Sequence, residues 1–215
     1  MDERDGSPEL FRCLDGPSPE AADARLDIRG TSPPGLAFWV AALRETFEET
    51  GILLVSGGAG CRSALMDDSD PVGRLRRQLN RGRTDFRTVL DTLGTRLAGT
   101  TISYIGHWVT PVRERHRYDT RFFGGEVPAG CPCSPDGAEM VQALWIPPSE
   151  ALALNREGAL PMVPPTLRTL QALGAFGTPS EALRALGGRK IPRLLPRVEE
   201  TENGVRFTPE IVPPE

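Results

Sequence analysis

Between Leu36 and Thr50, the apolar residues Leu36, Trp39, Val40, Leu43 and Phe47 recur at helical spacing, and Gly51 follows as a stop. At about 100° per residue these five side chains gather within roughly a third of the helix circumference. Glu45, Glu48 and Glu49 fall on the opposite side. The segment is therefore an amphipathic helix that must bury one face in a core and present three carboxylates on the other. A short apolar run, Ile52 to Val55, comes next and is expected to enter a sheet, with Gly57-Gly58 ending it. A helix feeding directly into a strand restricts the chain to α/β or α+β architectures.

The other elements follow from the same kind of pattern. The first thirty residues are rich in Asp, Glu, Pro, Gly and Ser and read as an irregular N-terminal segment, with a minor helix at Pro19 to Leu26 and little contribution to the core. Residues 63 to 98 read as a helical insert, Val72 to Leu79 and Phe86 to Leu97, broken at Asn80-Arg81-Gly82. Thr101 to Thr110 and Arg121 to Val127 are rich in β-branched and aromatic residues and read as strands joined by a basic connection, Arg113 to Arg117. A strand is expected over Met140 to Ile146. Helices follow from Ser149, from Thr166 to Phe176 and from Ser180 to Leu186, and Val198 to Phe207 around Asn203-Gly204 has the signature of a hairpin. The expected domain plan is an N-terminal segment 1–30, a main domain 31–176 and a C-terminal helix and hairpin tail 177–215.

With 215 residues, 39% of them hydrophobic, the chain can build a sizeable core, and its 23 Gly and 21 Pro point to many turns rather than low complexity. The formal charge of -4 supplies no global positive field, which disfavours nucleic acid as a partner. No apolar run is long enough to span a bilayer. Cys13, Cys61, Cys131 and Cys133 lack the spacing of a zinc framework, and Cys131-Pro132-Cys133 reads as an ordinary loop. A reduced, cytoplasmic setting is the expectation.

Three carboxylates at i, i+3 and i+4 repel one another, and the helix C-terminus adds to the discomfort of each. Arg44, at i-4 from Glu48, offsets part of this. A cluster of hard oxygen donors of this kind suits Mg²⁺ or Mn²⁺, which bind through carboxylates, waters and substrate phosphates. The alternative is a solvated acidic face, and the order of the residues decides between the two.

Arg44-Glu45-Thr46-Phe47-Glu48-Glu49-Thr50-Gly51-Ile52 resembles the second half of the Nudix box, Arg-Glu-x-x-Glu-Glu-x-Gly followed by an aliphatic residue. The resemblance to Nudix hydrolases implies a mixed-sheet α/β/α sandwich, with Glu45, Glu48 and Glu49 as metal-binding carboxylates oriented by Arg44. Thr46 stands where an aliphatic residue is usual, and Leu36 stands where the box's first glutamate falls at the standard spacing. Further stretches narrow the resemblance to the acyl-coenzyme A diphosphatase subgroup, nucleoside-diphosphate-linked moiety X motif 19: Gly106-His107-Trp108-Val109-Thr110-Pro111, Tyr118-Asp119-Thr120-Arg121-Phe122-Phe123, Trp145 to Leu152, and Pro164-Pro165-Thr166-Leu167. In that subgroup an insertion splits the box, so its first glutamate lies farther upstream. Met1 to Asp5 resembles the stretch after the subgroup's Phe-Pro-Gly-Gly turn, and the expectation is a chain shorter than its natural gene product, lacking N-terminal strands of the sheet.

The resemblance implies hydrolysis of coenzyme A or acyl-CoA to 3',5'-ADP and (acyl-)4'-phosphopantetheine. Alternatives are ADP-ribose or a dinucleotide as substrate, or a Nudix-like binding domain without catalysis. Glu139, just before the expected strand ending at Trp145, is a candidate further carboxylate that binds metal or acts as base alongside Glu45. Arg121 and Arg117, from the main basic concentration, are candidates for holding substrate phosphates through bidentate contacts. His107 reads as a packed, hydrogen-bonded histidine outside the site.

Overall fold

The predicted helix forms as α3 (Gly35–Thr50). Val40, Leu43 and Phe47 are fully buried, Leu36 and Trp39 nearly so, and Gly51 ends the helix at φ 76°, a conformation only glycine adopts without strain. A Cβ on Gly51 would also lie 2.6 Å from the Ala64 carbonyl oxygen. The start of α3 has no capping side chain of its own; the Gly35 N–H donates to Asp23 Oδ1 at 2.6 Å, from the preceding helix. The computed structural model describes residues 2–58, 60–64, 69–110, 117–201 and 204–212. These divide into two compact units, Met1–Ile102 with Gly125–Leu144, and Ser103–Gly124 with Trp145–Glu215.

In the first unit the N-terminal thirty residues are more ordered than their composition predicts. A 3-10 turn (Glu3–Gly6) leads into α1 (Pro8–Arg12), β1 (Leu14–Asp15) and α2 (Pro19–Leu26). Leu10, Cys13, Leu14, Ala22 and Leu26 are buried, so this segment supplies core after all. Its Ser and Asp residues, read as loop formers, serve as caps: the side chains of Asp2, Ser7 and Ser18 each accept a backbone N–H at the start of the turn or helix they precede. β1 pairs in parallel with β4 (Leu97–Ala98), and β2 (Ile52–Leu54), entirely buried, pairs antiparallel with β3 (Cys61–Ser63). α4 (Pro71–Asn80) and α5 (Phe86–Leu93) form the helical insert. The second of these helices stops four residues earlier than the pattern suggests, because Gly94 takes the left-handed conformation at φ 58° and releases Leu97 to the sheet.

The expected strand over Met140 to Ile146 does not form. The Asp136 side chain accepts the N–H groups of Glu139 and Met140, turning the chain where a strand would start, and Val141, Leu144 and Trp145 are exposed. Cys131 is also more than a loop residue. It forms a disulfide with Cys61, from which it is 70 positions away in sequence, while Cys13 and Cys133 are free thiols. Spacing along the chain carries no information about a pair brought together only by folding.

The second unit holds β5 (Ile102–Val109), β6 (Asp119–Gly125), β7 (Arg193–Thr201) and β8 (Gly204–Val212) in a four-stranded sheet of order β6-β5-β7-β8, with β5 and β7 parallel and β7 and β8 antiparallel. The expected C-terminal hairpin is thus part of a mixed sheet. Helices α6 (Pro148–Arg156), α7 (Pro164–Leu173) and α8 (Pro179–Gly187) complete this unit. Among the described residues no helix is long and apolar enough to cross a membrane.

Candidate active site on the glutamate helix

Arg44 is the hub of the polar face of α3. Its guanidinium grips Asp5 in a two-pronged ion pair, Nε to Oδ1 at 2.7 Å and Nη2 to Oδ2 at 2.9 Å, and also bonds Glu48 and, at 3.2 Å, Glu45. Asp5 is only 1% exposed. It is held by the 3-10 turn, where the Asp2 N–H donates to Asp5 Oδ2 at 2.8 Å in a capping box. Burial opposes the charge on Arg44, but the bond to Asp5 and the charges of Asp5, Glu48 and Glu45 hold its pKa well above the usual arginine value. Asp5 thus gives Arg44 a buried carboxylate partner from upstream of the helix.

The far end of α3 is fixed by two other pieces of the same unit. Arg76 of α4 is 1% exposed, and it donates from Nε to the Glu48 carbonyl at 2.9 Å and from Nη1 to the Ser134 carbonyl at 2.7 Å. Asn80 Nδ2 adds a second bond to the Glu48 carbonyl at 3.1 Å. The loop after residue 125 returns the favour: Ser134 N–H donates to the Thr50 carbonyl at 2.8 Å and Asp136 N–H to the Glu49 carbonyl at 3.0 Å. The last carbonyls of the helix, which have no partner within it, are satisfied in this way. Glu139 is brought to the same rim, exposed, by the Asp136-centred turn rather than by a strand.

A cavity of about 720 Å³ opens against this face, lined by Glu45, Glu48, Glu49, Asp136 and Glu139 on the acidic side. Burial raises the pKa of Glu48, with Arg44 working against the shift. Glu49 is raised by burial and then by the charges of Glu45, Glu139, Asp136 and Glu48. Asp136 is the exception, lowered chiefly by the backbone N–H of Met140. Among the described residues no three His, Cys, Asp or Glu side chains converge closely enough to hold a metal ion as they stand. The donor chemistry nevertheless fits a hard divalent cation: oxygen ligands whose mutual repulsion, registered at Glu49, a cation relieves.

Arg44, Glu45, Glu48, Glu49 and Glu139 are therefore drawn to one cavity; Arg76 and Asp136 line it too, and Asp5 stands behind Arg44, none of the three having been singled out by the sequence. The Asp-x-x-Asp spacing of a capping box and the Ser134-Pro135-Asp136-Gly137 turn were the available signals. Arg121 and Arg117 lie in the second unit. Arg121 ion-pairs there with Asp119 at 2.8 Å, and Asp119 also shares a 2.6 Å hydrogen bond with His107 Nε2 and lies 3.4 Å from Arg193 Nε. His107 is buried and hydrogen-bonded, as its position between Gly106 and Trp108 suggests. Arg117 is exposed at the end of the basic connection, whose Arg113, Arg115 and His116 fall outside the described residues.

Known proteins resemble the chain in the same region. It is 32% identical over 205 residues to acyl-coenzyme A diphosphatase NUDT19 of Homo sapiens, covering 87% of this chain and 53% of that protein. The NUDT19 of Xenopus laevis is 25% identical over 213 residues, covering 93% of this chain and 56% of its own length. The chain thus spans about half the length of these curated relatives. The crystal structure of a NUDIX hydrolase from Alicyclobacillus acidocaldarius superposes with a TM-score of 0.67 at 29% identity, covering 86% of this chain and 78% of that one. The family model described as the NUDT19 Nudix domain matches residues 10–173, which include the whole glutamate helix and the loop that completes its cavity, and the chain belongs to that Nudix domain family.

Proposed function

We propose that the protein is a metal-dependent diphosphatase of a nucleoside diphosphate derivative, with coenzyme A or acyl-CoA as substrate and 3',5'-ADP and (acyl-)4'-phosphopantetheine as products. The observation that carries the reading is the set of glutamates Glu45, Glu48 and Glu49 facing one cavity, with their helix anchored at one end by Arg44 and Asp5 and at the other by Arg76. Mg²⁺ or Mn²⁺ held by these three carboxylates supplies neutralisation of the diphosphate charge and a lowered pKa for water. The residues themselves do the rest. Arg44 holds Glu48 and Glu45 in orientation, and Asp5 keeps Arg44 in place. Glu45 or Glu139 accepts the proton of the attacking water, whose oxygen bonds to one phosphorus as the bridging P–O bond breaks.

A second cavity of about 590 Å³ shares Asp2, Arg44, Glu48, Leu79 and Asn80 with the first, and the two together give room for a two-part substrate. The kinship with the acyl-coenzyme A diphosphatases points to the same substrate class. The test is chromatographic: purified protein with coenzyme A and Mg²⁺ should release 3',5'-ADP and 4'-phosphopantetheine in equal amounts. Preferential cleavage of ADP-ribose or of a dinucleotide in the same panel would replace coenzyme A as the substrate, and no cleavage of any diphosphate would leave a binding domain.

A further inference from the structure

The rim loop brings two carboxylates to the cavity, and they have different tasks. Asp136 turns its side chain back on its own chain, where Oδ1 accepts the Met140 N–H at 2.8 Å and Oδ2 the Glu139 N–H at 3.2 Å. Gly137, at φ 78°, closes the turn from the other side by donating its N–H to the Met140 carbonyl at 3.0 Å. Aspartate suits this place because its short side chain reaches backbone N–H groups a few residues on. Its pKa is lowered by the N–H groups of Met140, Glu139 and Ala138, as befits a carboxylate committed to its turn. Glu139 is the residue the turn presents, with its side chain exposed on the rim. At Glu49, on the helix side of the cavity, the charge of Glu139 is felt more strongly than that of Asp136.

The turn is also tied to the helix it faces. The Asp136 N–H donates to the Glu49 carbonyl at 3.0 Å, the Ser134 N–H to the Thr50 carbonyl at 2.8 Å, and Arg76 joins the Ser134 and Glu48 carbonyls. Asp136 thus has its main chain bonded to one carboxylate-bearing residue and its side chain bonded to the main chain of another. The backbone bond to Glu49 survives any ordinary substitution at position 136. The side-chain bonds do not, so the second link can be cut while the first remains.

We propose that Asp136 is a positioning residue: the turn its side chain builds, rather than its negative charge, holds the Glu139 carboxylate at the cavity near Glu49. The use of that placement in hydrolysis rests on the diphosphatase reading above. Two neutral substitutions separate turn from charge. Asp136→Asn keeps an acceptor oxygen for the Met140 N–H, Asp136→Ala keeps none, and both remove the charge that also acts on Arg76. With coenzyme A and Mg²⁺, kcat of the Ala variant should lie at least about tenfold below that of the Asn variant, the scale of a misplaced catalytic group, with KM values within about twofold of each other. In a Glu139→Gln background the two should have the same kcat. Mn²⁺ titration followed by electron paramagnetic resonance, without substrate, gives a readout apart from turnover. The Asn variant should bind Mn²⁺ about threefold more tightly than the Ala variant, because a carboxylate fixed near Glu49 attracts a cation more than one that wanders, and Glu139→Gln should erase this difference too. Equal kcat values, equal Mn²⁺ affinities, or a difference that survives Glu139→Gln would overturn the positioning role. If the wild type cleaves no diphosphate, the Mn²⁺ titration decides: a contrast that depends on Glu139 sinks only the diphosphatase reading, and equal binding sinks both.

Discussion

Two carboxylate centres in this molecule are built on opposite principles. On α3, Glu45, Glu48 and Glu49, with Asp136 and Glu139 nearby, outnumber the cations that touch them, and the pKa values of Glu48 and Glu49 are pushed up. At Asp119 a single carboxylate sits among His107, Arg121 and Arg193; burial alone would raise its pKa, but the hydrogen bond and charge of His107, with those of the two arginines, bring it below the usual aspartate value. The first centre is electrostatically unfinished and stands beside a cavity; the second is complete in itself. An incomplete centre costs stability in the absence of a ligand and is the one a cation can improve, whereas a completed one holds strands together.

The largest expected effect tests the functional side of this contrast. Glu48→Gln or Glu49→Gln should lower Mg²⁺-dependent diphosphatase turnover by at least about 10²-fold, the scale set by losing a directed electrostatic contact in a transition state. Circular dichroism should remain that of the wild type, since both side chains lie on the polar face opposite Trp39 and Leu43; unchanged turnover would remove these glutamates from the chemistry. Next is the anchor. Asp5→Asn leaves Arg44 without its main buried counter-charge, a change that costs about 3–5 kcal/mol in comparable buried pairs. For a chain of this size the melting temperature should fall by roughly 6–20 °C. A melt within a degree of wild type would show that Arg44 does not depend on Asp5.

The completed centre should respond in stability and with a defined pH signature. Asp119→Asn should lower the melting temperature by roughly 2–4 °C at neutral pH, allowing for the partial exposure of the carboxylate. Because the folded-state pKa of Asp119 is depressed, its stabilisation is present above the unfolded-state value and is lost as pH falls through the folded one. The gap between wild type and variant should therefore close as the pH falls below about 4. The smallest effect has the opposite sign. Glu49 has a raised pKa, so its ionised form is a burden that appears as pH rises through the folded value. In chelator, Glu49→Gln should gain about 1 °C at neutral pH, and the gain should disappear in acid. Destabilisation by this substitution under those conditions would mean that the acidic face is compensated after all.

The periodic, locally encoded parts of the molecule were legible before folding was considered. The boundaries of α3, its stop at Gly51, the run into β2 and the breaks around Asn80 and Gly82 all rest on interactions within a few residues of each other. So does the sharing of one face by the three glutamates, a consequence of helical geometry alone. Less legible were segments whose order comes from distant partners. The first thirty residues have a loop-like composition, yet Asp5 is fixed by Arg44, 39 positions away, and Asp23 supplies the bond that α3 lacks at its start. The run from Met140 to Ile146 has a strand's hydrophobicity, but the Asp136 turn diverts it.

Sequence alone therefore determined that a helix would carry Arg44 and three carboxylates on one face, followed by a glycine and a strand, because spacing and dihedral preference are properties of the local chain. Only the tertiary structure decided which groups would surround them: Asp5 behind Arg44, Arg76 beneath the Glu48 carbonyl, Asp136 and Glu139 across the rim, and Arg77 and Arg81 facing the same cavity. Those groups come from three separate stretches of chain. Charge interactions depend on distance in space, which the order of residues along the chain does not record.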